Sequence, residues 1–267
     1  LHLSIRRQRQ MCIRDRWWLR PINAFICNVV DRVVPLTNLE AREVARAYLV
    51  PKAKQVIIGW GATPPGNASD LNQMDFNEMS HTLKDGELLT ILCVGRLGQH
   101  KGQEWLINMY RLALPEFRRP VRLVCVGRDE DAEAALSSLI VQHDLGGKVS
   151  LVGEVSDREL SEWYARADIF TLFSQYEAFG LVYFEAMAHG LPVLTHFVGA
   201  NGELLVKGAV VTPRFDQVAA VRELVRLVNA DGYRESMSKD AKEYAMNEFT
   251  WPAVAGKYLE VYSASEP

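Results

Sequence analysis

From residue 88 onward, short apolar runs alternate with longer amphipathic stretches. Residues 88–94, 121–126, 148–152 and 168–173 are rich in β-branched and aromatic side chains and are bounded by turn residues, the pattern of buried strands. Between them, residues 103–114, 131–143 and 157–167 read as helices. A further apolar stretch, 181–189, is expected to be a buried helix, and 191–195 the strand after it. Strands and helices alternating at this spacing predict an α/β fold with a doubly wound parallel sheet. Later, Val218, Val221, Leu224, Val225 and Val228 mark one face of an amphipathic helix, and a second helix is expected near 233–247. Pro252 suits the first turn of a terminal helix through Tyr262.

The preceding part of the chain is less regular. Residues 22–30 are apolar, 31–37 read as a strand, 39–49 as a helix and 55–58 as a short strand that ends at Gly59-Trp60-Gly61-Ala62. So small a sheet would leave apolar faces open, so the chain is expected to be an N-terminally truncated piece. Residues 63–87 open on Thr-Pro-Pro-Gly-Asn and lack an apolar period, which reads as a linker. Residues 1–16 carry five Arg and one Asp with no period, and their wording resembles translated sequencing adapter. They are read as a non-native or disordered segment and set aside from the fold. A basic arm for anionic lipid is the alternative reading. The Trp17-Trp18 pair is read as packing, with a membrane-interface anchor as the alternative.

Composition narrows the classes. Hydrophobic content of 48% and charged content of 24% are those of a globular protein. A net charge of −3 implies no basic face, so no nucleic-acid partner is expected. The four cysteines show no C-x-x-C spacing, and Cys93 and Cys125 fall inside strand patterns, which suits a reducing, cytoplasmic location. No run approaches the roughly 18 apolar residues that span a bilayer.

The chemistry concentrates around residues 174–193. The apolar helix 181–189 holds one carboxylate, Glu185, and burying a carboxylate costs several kcal/mol without a partner. Glu177 lies eight positions earlier, in the turn that opens the helix, beside Phe179-Gly180-Leu181. Amides at a helix N-terminus, at the carboxyl end of a parallel strand, form an anion site. Gly95-Arg96-Leu97-Gly98-Gln99-His100-Lys101-Gly102 follows the first strand and places two cations before a helix. Together they read as a phosphate-plus-hydroxyl pocket.

Glu177 and Glu185, seven residues between them, with Ala178-Phe179-Gly180-Leu181 and Glu185-Ala186-Met187-Ala188, resemble the E-x7-E motif of retaining glycosyltransferases of family 4. These have the GT-B fold, built of two Rossmann-like domains, and take a nucleoside diphosphate sugar as donor, with no metal required. Arg96 and Lys101 resemble that family's diphosphate-gripping G-R-…-K-G motif. The resemblance implies that Arg96, Lys101 and Glu177 carry the chemistry, Glu177 against hydroxyls of the transferred sugar. It implies that the amides of Phe179, Gly180 and Leu181 lie near sugar and phosphate, that Glu185 accepts from the ribose hydroxyls, and that Val152 and Gly153 lie beside the base. It divides the chain into a remnant of the N-terminal domain (17–62), the linker (63–87), the donor-binding domain (88–248) and a crossing helix with tail (249–267). No metal ligand is expected. The acceptor is open, whether glycan, lipid or small molecule, and peripheral contact with the inner face of a membrane, through the missing half, is compatible.

Other readings bear on the same residues. Val198-Gly199-Ala200-Asn201-Gly202-Glu203 departs from the family's Gly-Gly-x-Pro-Glu by lacking the proline. Asp129-Glu130-Asp131 could hold a metal, but acidic residues at a helix start favour the helix dipole, and this reading is preferred. His100 and His189 lack ligand-spaced partners and read as surface or packing residues. A dinucleotide oxidoreductase would need G-x-G-x-x-G after a strand, which neither Gly95-Arg96-Leu97-Gly98 nor Gly127-Arg128-Asp129 provides. A sugar phosphorylase, an epimerase and a non-catalytic donor-binding fragment remain alternatives.

Overall fold

The computed structural model describes residues 19–62 and 88–264. Residues 1–16, the Trp17-Trp18 pair and the linker at 63–87 therefore lie outside the described residues. The described residues divide into two compact units, one of residues 19–59 with 254–264 and one of residues 60–62 with 88–253.

The smaller unit contains helices α1 (Arg20–Val29) and α2 (Asn38–Tyr48). Thr37 caps α2 by accepting from the Glu40 N–H, and Glu40 reaches back to the Leu36 N–H. The strand expected at 31–37 is reduced to one bridge, Val33 to Gln55. Val33 exchanges bonds with Lys54 and Val56, and Ile58 donates to the Pro35 carbonyl. The next rung would need an N–H from Pro35, which proline lacks, and the ladder stops there. Along α1, Ile22, Phe25, Ile26 and Val29 are all exposed.

The larger unit is built on β1 (Leu89–Val94), β2 (Val121–Val126), β3 (Val149–Gly153), β4 (Ile169–Leu172), β5 (Val193–His196) and β6 (Ala209–Thr212). All the pairings are parallel, in the order β3-β2-β1-β4-β5-β6. That is the doubly wound order, with its reversal between β1 and β4. Every residue of β1, β4 and β5 is buried, whereas the edge strands β3 and β6 are only partly so. The half-buried β6 carries no continuous apolar run long enough to be read from the sequence.

Helices flank the sheet: α3 (Gln103–Ala113), α4 (Glu133–Gln142), α5 (Asp157–Arg166), α6 (Leu181–Ala188), the short α7 (Asn201–Leu204), α8 (Gln217–Asn229) and α9 (Asp231–Glu248). A last helix, α10, runs Trp251–Ser263. The start of α4 differs from expectation: Asp131 takes φ 65°, and the helix begins at Glu133. The core face of α8 also differs. Ala220, Leu224, Leu227 and Val228 are buried, while Val218, Val221 and Val225 line an open surface groove with Leu112 and Glu116.

Beneath the carboxyl edge lies a buried polar cluster. The Tyr183 hydroxyl is 3.2 Å from both the Leu172 carbonyl and Thr195 Oγ1, and Asn201 Nδ2 donates to it at 3.3 Å. It ties α6 to β4, β5 and α7, and the Tyr183, Thr195 and Asn201 groups of the cluster partner one another.

The loop after β1 is packed against the end of β4 by backbone alone. Gly102 has φ 73°, and a Cβ there would lie 2.1 Å from the Phe173 carbonyl oxygen. Gly102→Ala is expected to lose about 3 kcal/mol or more, combining left-handed strain with overpacking. Urea unfolding checks this: the midpoint falls at an unchanged slope. A near-neutral result would mean that the two loops separate easily.

Candidate functional site

The reversal between β1 and β4 opens a crevice at the carboxyl ends of these strands, where open α/β sheets bind ligands. The β1 loop makes a tight turn at Gln99–Lys101 before α3. Gln175, after β4, donates its N–H to the His100 carbonyl at 2.8 Å, which joins the two loops. Buried Gln103 donates from Nε2 to the Arg96 carbonyl at 2.9 Å, which fixes the β1 loop from the helix side. As a result Lys101 Nζ stands 3.0 Å from Glu177 Oε2, with the two side chains 18% and 15% exposed. So shielded a pair is screened by salt far less than a surface pair.

Glu177 is held by its backbone. Gly199, at φ 54°, lies so close that a Cβ would come 1.9 Å from the Glu177 carbonyl oxygen. The 198–203 loop therefore packs on Glu177 without the proline of the related pattern. Gly180 at φ 76° precedes α6, and its carbonyl accepts from the Tyr183 N–H at 3.0 Å, so the Leu181 and Val182 N–H groups lie ahead of the first bond of the helix. The ring of Phe179 is core, against Phe184 and Phe249; it is the main chain of Phe179, Gly180 and Leu181 that forms the turn.

Glu185 is half-buried, a less enclosed position than an all-apolar helix suggests. Its Oε2 accepts from the Tyr164 hydroxyl at 3.1 Å. Burial, and then the Glu185 carboxylate, push the Tyr164 hydroxyl well up from its usual value, so it stays a donor. The Tyr164 ring stacks on His189 at 5.2 Å.

Arg96 pairs with a different carboxylate, its NH1 2.5 Å from Glu130 Oε1. Asp129 accepts from the Ala132 and Glu133 N–H groups at 2.9 Å, and these bonds lower its carboxyl. Among the described residues no group of three or more His, Cys, Asp or Glu could hold a metal ion. Val152 and Gly153 end the edge strand β3, and the Gly153 carbonyl accepts from Gly127 at 2.8 Å. The structure thus joins Lys101 to Glu177, and Arg96 to Glu130. Glu185 meets Tyr164, and Val152 and Gly153 stand two strands away at the sheet edge.

A profile described as "Glycosyl transferases group 1" matches residues 75–244, more than half of the sequence. The chain belongs to the group 1 glycosyltransferases. This group 1 chain is 31% identical over 240 residues to an uncharacterized glycosyltransferase of Methanocaldococcus jannaschii, covering 86% of this chain and 59% of that one. It is 26% identical over 254 residues to D-inositol 3-phosphate glycosyltransferase of Streptosporangium roseum, covering 90% and 56%. It therefore spans a little over half the length of these curated relatives. Sucrose-phosphate synthase of Thermosynechococcus elongatus shares the fold, with a TM-score of 0.69 at 23% identity over 92% of this chain and 62% of that one. Anabaena HepE, solved with UDP and glucose, gives 0.68 at 19% identity over 88% and 63%. The larger unit thus has the GT-B type of α/β sheet. Among the described residues no helix is long and apolar enough to cross a membrane.

Sequence reasoning missed Tyr164, Gln103 and His196, and read Glu130 as part of an acidic helix start rather than as the partner of Arg96. His196, at the end of β5, is buried, with Nε2 2.8 Å from the Ser174 carbonyl and Nδ1 accepting from the Phe215 N–H at 3.1 Å. These bonds fix the neutral tautomer with the proton on Nε2. Burial holds both His196 and His189 below the ordinary histidine value of 6.5. The unfolded chain therefore binds protons that the folded chain resists, and these residues make stability fall as pH drops through about 6.5. The thermal midpoint is expected to fall between about pH 7.5 and about pH 5.5, and to fall less in His196→Gln. Equal slopes in the two proteins would show that His196 is not held neutral.

Proposed function

We propose that this chain is the donor-binding portion of a family-4-like retaining glycosyltransferase. It would transfer a sugar from a nucleoside diphosphate sugar to an acceptor hydroxyl. The observation that carries the reading is the Lys101–Glu177 contact, 3.0 Å across the β1/β4 crevice of a group 1 chain. The β1 loop brings cations there, α6 brings free amides, and Glu177 and Glu185 bring acceptors for hydroxyls.

As the bond from the anomeric carbon to the diphosphate oxygen lengthens, negative charge grows on the leaving group and the sugar becomes oxocarbenium-like. Arg96, Lys101 and the amides of Phe179, Gly180 and Leu181 would meet that charge. Positive charge from side chains makes the reaction metal-independent in this reading. Glu177 would hold the sugar hydroxyls, and Glu185, oriented by Tyr164, the ribose diol. Backbone groups at Val152 and Gly153 would border the base. The acceptor hydroxyl would attack on the face the diphosphate leaves and pass its proton to the departing phosphate, with configuration retained and no protein nucleophile. Because this chain spans little more than half of its curated relatives, donor binding without transfer is the second reading. The solved complexes of HepE with UDP and glucose, and of a pneumococcal O-GlcNAc transferase with UDP and GlcNAc, make a uridine donor the first to test.

Calorimetry with UDP, GDP and ADP is the test. One nucleotide is expected to bind saturably, with affinity lower by roughly tenfold to a hundredfold in Arg96→Ala and in Glu185→Ala. No binding of any of the three to folded protein overturns the reading. Incubating the donor with phosphate, water or acceptor then separates a transferase from a phosphorylase, an epimerase or a binding module.

A further inference from the structure

Both cations assigned to the diphosphate already face a carboxylate. Lys101 faces Glu177, and Arg96 faces Glu130. The position of Glu130 is built into the backbone. After β2, the Arg128 carbonyl accepts from the Leu97 N–H at 2.9 Å, and the Glu130 N–H donates to the Leu97 carbonyl at 2.8 Å. These bonds strap the β2 loop to the β1 loop that carries Arg96, with Leu97 and Asp129 bridged in parallel. The neighbouring Asp129 is committed to the α4 N–H groups, so Glu130 is the acidic side chain of this loop that turns to the cation. Its second oxygen lies 3.7 Å from His100 Nε2. Glu130 Oε1 engages Arg96 at NH1, a charge-assisted bond that a phosphate oxygen would replace.

We propose that Glu130 is an internal counter-anion, standing in for a phosphate on Arg96 until a diphosphate displaces it, and so selecting two linked phosphates over one. This rests on the donor reading above. Each of the two cations is matched by one carboxylate. A ligand with one phosphate can take over one cation but still meets the carboxylate held on the other. A diphosphate reaches both cations and replaces both pairs. The repulsive element, as much as the attractive one, sets the preference.

The test is calorimetry of whichever of UDP, GDP and ADP the wild type binds, together with the matching monophosphate. Glu130→Gln keeps the shape and removes the charge. It is expected to tighten diphosphate binding by about threefold to tenfold and monophosphate binding by more, with the gain shrinking at high salt. In an Arg96→Ala background the same change is expected to raise monophosphate and diphosphate affinity equally, because the competition for Arg96 is gone and only the general repulsion by Glu130 remains. Glu130→Ala, with a thermal midpoint to verify folding, gives a second variant. Unchanged or weaker binding in both variants overturns the proposal and makes Glu130 an orienting or surface partner. Wild-type protein that binds none of the three nucleotides fails at the donor reading instead.

Discussion

The crevice depends on close backbone contact between loops that belong to different strands. At Gly102 the β1 loop touches the Phe173 carbonyl, and at Gly199 the β5 loop touches the Glu177 carbonyl. Neither place has room for a Cβ. The distance between the cation of one loop and the carboxylate of another is therefore set by main chain, which has few ways to relax. The proposed reaction, with charge developing on a leaving group, would need this kind of fixed geometry, since reorganisation during reaction would cost part of the stabilisation. The buried Tyr183–Thr195–Asn201 cluster serves the same end from below, by locking α6 to the strands on either side.

Strand order explains why the chemistry gathers here. Parallel β1 and β4 are neighbours in the sheet but are separated in the chain by two strands and three helices. Their connections leave in opposite directions, which opens the crevice. Arg96 and Lys101 arrive on one side and Glu177 on the other. The β2 loop is the next neighbour, and it contributes Glu130.

How much of this was legible follows from the range of each interaction. The central strands showed because burial on both faces demands continuous apolar runs, as in Leu89–Val94 and Ile169–Leu172. Residues 209–212 did not show, because an edge strand can be half-exposed and short. The valines of α8 misled for a related reason: Val218 and Val221 line a surface groove, and apolar character is no guarantee of burial. Glu177, three residues before Gly180, was readable as part of a turn. Its contact with Gly199 was not, since that meeting needs two loops of known strand order. The same holds for Tyr164 on Glu185 and Glu130 on Arg96, which join residues 21 and 34 positions apart.

The charge pattern of the crevice carries the last step. A pocket lined only by Arg96, Lys101 and helix amides would attract any phosphate, and the commonest small anions would compete with the intended ligand. Carboxylates set against both cations change the problem from attraction to exchange. A ligand then gains only if it replaces what it displaces, in number of charges and in spacing. Part of the affinity that two bare cations would give is surrendered, and the gain is discrimination. The arrangement also keeps both cations compensated within the fold. In the proposed exchange, selectivity and stability draw on the same two ion pairs.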